Sequence, residues 1–198
     1  MATDYLSLSR NLSRFYDFAD KVVLYVGAGG RQLLDPAVRF RKWLAIDKDA
    51  AALRKLKAEI TAKGLQDSVE VIDASFEEVA FPGDVVCFEF CFHEMDDPAA
   101  VLAHAKTLAP DIVVYDHSVG SDWIYLGAEE DKVVRSAAAM ERFGIRRRER
   151  FLAEQRFGSF DELLAKVASQ GATAIERAQR FAGASEIVIP MAYELNLL

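Results

Sequence analysis

The sequence predicts an α/β fold: a seven-stranded, mostly parallel sheet with helices on both faces, closed by a C-terminal antiparallel hairpin strand. Three observations lead to this prediction. The apolar run Val22–Val26 passes directly into the glycine-rich turn at residues 27–30, as a strand buried on both faces does. A second apolar run, residues 43–46, follows about twenty residues later and ends at Asp47. Helix-like and strand-like segments then alternate as far as residue 115, which favours parallel strands joined by crossover helices.

The first helices are indicated by apolar spacing and by end signals. Residues 4–20 predict one or two helices, which either cover a sheet edge or close over the site as a lid. Residues 31–43 predict a short helix interrupted before Pro36, because proline disfavours helix for its predecessor. The next helix is expected to begin after Asp49 as N-cap and to end at Gly64.

The later helices are predicted from the same kinds of apolar spacing and end signals. Pro98 opens a helix, where proline is tolerated in the first turn. The segment 119–155 is long and charged, and we expect it to be mostly helical. Residues 159–169 predict a capped amphipathic helix that stops at Gly171. The remaining strands are predicted at residues 68–72, 84–90, 112–115, 172–181 and 185–195, and Pro190 implies a bulge or an edge position in the last of them.

Composition narrows the class of protein. The chain has 198 residues, enough for a single domain spanning residues 1–198 with a substantial core. Its net charge of −7, from 24 basic and 31 acidic side chains, argues against a nucleic-acid partner. No apolar run reaches the roughly 18 residues of a membrane span, and the first residues do not look like a signal peptide. Two cysteines, Cys87 and Cys91, suit a reducing compartment, so we expect a cytoplasmic protein without a membrane partner.

A glycine turn followed by an acidic residue at this spacing occurs in two classes of cofactor-binding enzyme. The dinucleotide fingerprint requires a third glycine where this chain has Gln32, so the pyrophosphate motif fails. What remains, VGAGG followed by AID, resembles the class I S-adenosylmethionine-dependent methyltransferases, whose fold is Rossmann-like. The resemblance extends over five βα-type units and the terminal hairpin, roughly residues 21–195. Two alternatives stay open: a nicotinamide-dependent reductase on a similar sheet, and a non-catalytic relative that binds a nucleoside or a protein partner.

The resemblance implies a cofactor, S-adenosyl-L-methionine, with S-adenosyl-L-homocysteine as the product. The residues that it places at the cofactor are Gly27, Ala28, Gly29, Gly30, Asp47, Lys48, Asp73, Ala74 and Glu89. The chain departs from the family pattern at two positions. Tyr25 stands where most members have the acid that helps to hold the cofactor's amino group, and Arg31 stands at the third glycine. The methionine end of the cofactor must therefore be held differently.

The candidate catalytic residues are His93, Glu94 and His117, which follow the fourth and fifth predicted strands. Histidine suits proton transfer near neutral pH, and an acceptor that carries a proton needs such a base. His93 is the first candidate, either as base or as the group that orients the acceptor; alternatively it only hydrogen-bonds within its loop. We predict a small-molecule acceptor, selected by residues 1–20 and 119–155, and no metal. The sequence does not give the oligomeric state.

Two further features have less specific interpretations. The run from Arg146 to Arg150 is either a solvated helix face or a cluster that recognises an acidic substrate. Trp123 and its neighbours are either the apolar wall of a substrate pocket or an ordinary hydrophobic anchor. Cys87 is expected within its strand, Cys91 is interpreted as a small core residue, and His104 as a structural residue within a helix.

Overall fold

The computed structural model describes residues 5–28 and 38–198. It contains one seven-stranded sheet in the order β3-β2-β1-β4-β5-β7-β6. The strands are β1 Val22–Val26, β2 Lys42–Asp47, β3 Val69–Asp73, β4 Val85–Glu89, β5 Asp111–His117, β6 Arg147–Phe157 and β7 Ile187–Leu197. Strands β1 to β5 are parallel, and β7 runs antiparallel to both β5 and β6. The predicted mostly parallel sheet with an antiparallel C-terminal hairpin is confirmed.

Helices pack on both faces of the sheet. They are α1 Tyr5–Phe15, α2 Ala50–Lys63, α3 Pro98–Leu108, α4 Asp122–Gly127, α5 Glu130–Phe143, α6 Phe160–Val167 and α7 Ala172–Ala178. On one face α1, α2, α4, α6 and α7 bury their apolar residues against Tyr25 and Trp43. On the other face α3 and α5 pack against Leu24 and Phe88. No helix in the described ranges is long and apolar enough to cross a membrane.

The helix end signals behave as expected where the structure describes them. The Asp49 carboxylate accepts from the amides of Ala51 and Ala52, at 2.7 and 3.2 Å, and so caps α2. Gly64 ends the same helix in the left-handed conformation, with φ of 68°. Asp97 caps α3, which opens on Pro98. The short helix expected between residues 31 and 43 falls mostly on residues 29–37, outside the described ranges.

The prediction that residues 119–155 are mostly helical is wrong at its C-terminal end. Residues 122–143 form α4 and α5, but residues 147–157 form β6. In β6 the inward positions alternate, with Gln155 and Phe157 buried and Leu152 and Arg156 exposed. Alternation of this kind marks a half-buried strand, and the charged residues between the inward positions obscured it. Charged side chains are also common on edge strands, where they discourage pairing with other chains.

The prediction of a strand at residues 172–181, the first strand of the expected hairpin, is also wrong. Residues 172–178 form α7, in which Ala174 and Ala178, four positions apart, are fully buried. The hairpin is instead made by β6 and β7. Pro190 behaves as expected: it lies opposite Glu154 of β6, whereas β5 pairs with β7 only from Tyr193 to Leu197. At Pro190, β7 therefore has a neighbouring strand on one side only, which is an edge position.

Gly27 fixes the point at which β1 leaves the sheet. Its φ is 77°, a conformation that side chains with a Cβ rarely adopt. A Cβ placed there would lie 2.6 Å from Cys91 Sγ and 2.9 Å from the carbonyl oxygen of Glu89. The backbones of the first turn and of the end of β4 approach this closely only because Gly27 has no side chain.

We expect Gly27→Ala to destabilise the protein by more than Gly64→Ala. Both glycines have a left-handed φ, so each alanine should cost about 1–2 kcal/mol in backbone strain. Nothing lies within 4 Å of a Cβ on Gly64, whereas Gly27→Ala also forces Cys91 and the end of β4 to move. Urea denaturation of the two variants measures the difference. Equal losses of unfolding free energy would show that the close approach at Gly27 does not constrain the turn.

Candidate functional site

Two adjoining cavities lie at the carboxyl ends of the central strands. The larger has a volume of about 790 Å³ and the smaller about 160 Å³. Both are lined by Gly27, Asp47, Cys91 and Glu94, so the two spaces meet beside the first turn. In open α/β sheets this end of the strands is where ligands bind.

The smaller cavity lies between the ends of β2 and β3 and the loop after β4. Besides the four shared residues, its lining consists of Val26, Ile46, Lys48, Ala74, Ser75, Phe76, Glu77 and Met95. Asp47 is held in place at its rim: its carboxylate accepts from the amide of Asp49 at 2.9 Å, and its carbonyl accepts from the amide of Ala74 at 3.2 Å. The cavity therefore combines apolar walls with a fixed carboxylate at its mouth.

The other predicted cofactor residues are distributed unevenly around these cavities. Lys48 and Ala74 line the smaller one and Glu89 lines the larger one. Ala28 is fully buried behind the turn, and Asp73 is exposed and lines neither cavity. Gly29 and Gly30 lie outside the described residues.

His93 is tied to β5 by Asp116. The imidazole Nδ1 lies 2.7 Å from one carboxylate oxygen of Asp116, and the backbone amide of His93 donates to the other at 2.8 Å. The amide of His117 donates to the same carboxylate at 2.7 Å. Burial would raise the pKa of Asp116, but the His93 charge and these hydrogen bonds outweigh it, so the pKa is lowered. Asp116 is therefore a buried anion that fixes the position of both histidines.

The far nitrogen of the His93 ring faces two carboxylates. Its Nε2 lies 3.5 Å from Glu94 and 3.9 Å from Glu129. Burial would lower the pKa of His93, but the charge of Asp116, its hydrogen bond and the hydrogen bond to Glu94 raise the pKa to about 10. At neutral pH His93 is therefore an imidazolium, which donates hydrogen bonds and cannot accept a proton.

Glu94 and Glu129 share a second cation. The Lys132 ammonium lies 2.6 Å from Glu94 and 3.1 Å from Glu129. The hydrogen bond to His93 lowers the pKa of Glu94 despite partial burial, and that to Lys132 adds to the effect. The pKa of Glu129 is raised, first by burial and then by the neighbouring Glu94. The network thus alternates cations and anions along one wall of the larger cavity.

His117 has the opposite character to His93. Burial lowers its pKa to about 4, so the ring is neutral at neutral pH. Its Nδ1 is buried without a hydrogen-bond partner among the described residues. The ring lies 5.3 Å from that of His93 and 4.7 Å from that of Phe90, measured between centroids. The site therefore presents one cationic and one neutral histidine side by side.

Sequence reasoning missed several residues that complete the larger cavity. Asp116 is marked only by its position directly after a predicted strand, and Glu129 and Lys132 carry no local signal in a charged segment. Trp123, proposed as a pocket wall, does line the cavity. The remaining lining comes from segments far apart in sequence: Leu8 of α1, Gly127 and Ala128 of α4, Gln155 of β6, Met191 of β7, and Lys166, Ser169 and Gln170 around the end of α6.

Two groups of side chains have the spacing of metal ligands. They are His93 with Asp116 and His117, and His93 with Glu94 and Glu129. In the first group Asp116 already accepts three hydrogen bonds. In the second group the Lys132 ammonium pairs with both carboxylates. The cation that these residues meet in the structure is a side chain, and the prediction of no metal stays a prediction.

The arginine run does not face either cavity. Arg146 pairs with Asp111 at 2.6 Å, and Arg148 donates to Asn196 at 2.8 Å and pairs with Glu141 at 2.7 Å. Arg147 donates to the carbonyl of Phe15 at 3.0 Å. The run lies at the start of β6, where its side chains tie the edge of the sheet to neighbouring elements, so the prediction of a helix face is wrong.

Comparison with known proteins agrees with this geometry. Residues 24–110 match the family model described as a methyltransferase domain. No curated protein matches the sequence.

Three solved structures with the same fold illustrate the similarity. A putative methyltransferase from Bacillus halodurans is 18% identical, with a TM-score of 0.65 over 98% of this chain and 97% of that one. A SAM-dependent methyltransferase from Aquifex aeolicus is 17% identical, with a TM-score of 0.59 over 96% and 88%. A precorrin 8W decarboxylase from Methanobacterium thermoautotrophicum is 13% identical, with a TM-score of 0.62 over 97% and 89%.

The matched domain covers the first turn, Asp47, Asp73 and the His93 loop. Members of this family take their methyl group from S-adenosylmethionine, which is therefore the cofactor that the site has to fit. The methyltransferase domain at residues 24–110 and the seven-stranded sheet in the order described above give this chain the fold of the class I S-adenosylmethionine-dependent methyltransferases.

Proposed function

We propose that this protein transfers a methyl group from S-adenosylmethionine to a small-molecule acceptor bound in the larger cavity. The observation that carries the proposal is the pair of adjoining cavities, one for each reactant, which meet at Gly27, Asp47, Cys91 and Glu94. A transfer between two bound molecules requires that their reacting atoms lie in one continuous space.

The smaller cavity fits the adenosine part of the cofactor. Asp47, fixed at the rim, is placed to accept hydrogen bonds from ribose hydroxyls. Ile46, Phe76 and Met95 supply apolar surface for the base. Asp73 is exposed beside this cavity, and its predicted role at the adenine amino group stays a prediction.

The larger cavity suits an acceptor of modest size. Its volume of about 790 Å³ lies in the range of small-molecule sites. Leu8, Trp123 and Met191 form apolar walls, and the polar groups are concentrated around the two histidines. Residues of α1, α4 and α5 contribute to these walls, which supports the proposal that residues 1–20 and 119–155 select the acceptor. The net charge of −7 does not suit binding to a nucleic-acid backbone.

S-adenosylmethionine supplies the methyl group on a sulfonium, so the protein has to provide alignment and charge rather than activation of the donor. The Nε2 hydrogen of His93 faces Glu94, and an acceptor that takes over this hydrogen bond from Glu94 would have its nucleophilic atom oriented by His93. His117 is neutral at neutral pH and is the histidine with a nitrogen lone pair available for a departing proton. Glu94, held between His93 and Lys132, keeps the imidazolium of His93 paired.

Both cysteines are free, and burial raises the pKa of each thiol. Buried neutral thiols without a disulfide suit a reducing compartment. We therefore place the reaction in the cytoplasm.

The cofactor site is tested first by binding. Asp47→Ala should weaken binding of S-adenosylhomocysteine roughly tenfold or more, because charge-assisted hydrogen bonds to the ribose are lost. Isothermal titration calorimetry measures the affinity, and Asp67→Ala, at an exposed aspartate outside both cavities, is the matched control. Binding of NADH by the unaltered protein in place of S-adenosylhomocysteine would instead support a reductase.

Turnover is tested with radiolabelled S-adenosylmethionine against a panel of phenols, alcohols, thiols and amines. With an acceptor found in this way, His93→Gln should lower kcat about 100-fold, because a neutral amide replaces the cationic donor that orients the acceptor. His104→Gln, the same change in α3 away from the cavity, should leave kcat unaltered. Equal activity of the two variants would remove His93 from the mechanism. Binding of the cofactor without transfer to any acceptor would support a non-catalytic relative.

The two site histidines should titrate at opposite ends of the pH range. The native pKa of His93 is raised to about 10, so its ring should stay protonated from pH 5 to pH 8, whereas His117 should stay neutral above about pH 5. Nitrogen-15 NMR of the ring nitrogens, assigned with His93→Gln, measures both states. Because His93 binds its proton more tightly when folded, the stability that it contributes should be complete below pH 6.5 and lost towards pH 10. A His93 ring that titrates near pH 6.5 would contradict the role of Asp116.

A further inference from the structure

Glu89 is a buried carboxyl group to which the described residues offer no hydrogen-bond partner. It closes β4, is only 3% exposed, and neither of its carboxylate oxygens has a hydrogen-bond partner in the part of the chain that the structure describes. Burial raises its pKa well above the ordinary value. The titratable groups beside it, Cys91 and Tyr115, also have raised pKa values and remain uncharged. A buried polar group without a hydrogen bond destabilises the folded state. The presence of such a group at the end of β4 therefore indicates a role other than stability.

The position of Glu89 points to a ligand that passes the first turn. Val26 and Phe88 are paired between β1 and β4, so Glu89 is level with Gly27, and a Cβ on Gly27 would lie 2.9 Å from the Glu89 carbonyl oxygen. Glu89 lines the larger cavity, and Gly27 lines both. A molecule that fills the smaller cavity and extends past Gly27 into the larger one therefore meets this carboxyl group.

The neighbouring strand β1 carries no acidic residue that could interact with such a ligand. Tyr25 is fully buried on β1, opposite Cys87 in the register with β4. Cys87 and Glu89 are two positions apart, so their side chains lie on the same face as Tyr25. The Tyr25 hydroxyl likewise has no partner among the described residues. A carboxyl and a phenol hydroxyl thus lie near the turn with unused hydrogen-bonding capacity.

We propose that Glu89 binds the ammonium group at the methionine end of the cofactor, in place of an acid on β1. An ammonium supplies three donors and a positive charge, which together satisfy a buried carboxylate. The proposal rests on the assignment of S-adenosylmethionine as cofactor. It makes Glu89 a group that destabilises the free protein and is stabilised by its ligand.

The test compares two thioether ligands in calorimetry. S-adenosylhomocysteine carries the amino acid portion, and 5′-methylthioadenosine lacks it. In Glu89→Gln, binding of S-adenosylhomocysteine should weaken roughly ten- to hundredfold, whereas binding of 5′-methylthioadenosine should change little. Glu186→Gln, at an exposed glutamate outside both cavities, is the matched control and should alter neither affinity.

Stability of the ligand-free protein provides a second readout. Above pH 4.5 the unfolded chain ionises Glu89 and the folded protein resists ionisation, so the wild type loses stability as pH rises towards the native pKa. Glu89→Gln should therefore melt at a higher temperature than the wild type at pH 8, and the gap should close as pH falls to 4.5. Glu186→Gln should melt as the wild type does at both pH values.

The outcomes separate this proposal from the assignment of the cofactor. Failure of the wild type to bind either ligand would overturn the cofactor assignment and with it the proposal. Wild-type binding with an unchanged preference for S-adenosylhomocysteine in Glu89→Gln would overturn the role of Glu89 alone. A lower melting temperature of Glu89→Gln at pH 8 would also overturn it, because it would reveal a structural partner for the carboxyl group.

Discussion

The carboxylate of Asp116 is the point on which the site depends. It accepts from the His93 ring, from the His93 amide and from the His117 amide, and it is only 3% exposed. These bonds fasten the loop after β4 to the end of β5, so two adjacent strands present their histidines at a fixed separation. A charge buried this deeply is tolerated because every bond it needs is supplied. The arrangement also sets the chemistry, since the same anion keeps His93 protonated.

The two histidines illustrate how the environment, rather than residue type, sets protonation. His93 and His117 are both withdrawn from water, which by itself lowers the pKa of each ring. Asp116 makes a hydrogen bond with the ring of His93 but only with the backbone amide of His117. The first ring becomes a cation and the second remains neutral. Groups of the same type whose pKa values are pushed apart in this way are typical of catalytic sites.

The ionisable groups on one side of the larger cavity are paired with one another, and those on the other side are not. His93 and Lys132 alternate with Glu94 and Glu129, so that wall is satisfied within the protein. Glu89, on the side of the first turn, has no such partner within residues 5–28 and 38–198. The part of the site near the histidines is thus organised in advance, whereas the part near the turn is complete only with a ligand. Proteins commonly accept local instability of this kind where it serves binding.

Much of the fold could be predicted because parallel strands and their helices carry local signals. The apolar run before Gly27, the cap at Asp49 and the stop at Gly64 act within a few residues, and the structure confirms the strands and helix they indicated. The errors fall where local signals conflict with the tertiary context. In β6 the charged residues favoured helix, although the inward alternation ending at Phe157 is that of a strand. The sequence predicts a strand at residues 172–181, whereas residues 172–178 form a helix.

The sequence by itself determined strands β1 to β5 and β7, the first turn, and the presence of His93, Glu94 and His117 at the ends of neighbouring strands. Only the tertiary structure decided which of these groups meet, because Asp116, Glu129 and Lys132 reach the site from β5 and α5 across separations that no motif spans. It also decided their charge states, since a pKa depends on burial and on neighbours within a few ångströms. That Glu89 has no hydrogen-bond partner among the described residues could be recognised only from the positions of the atoms around it.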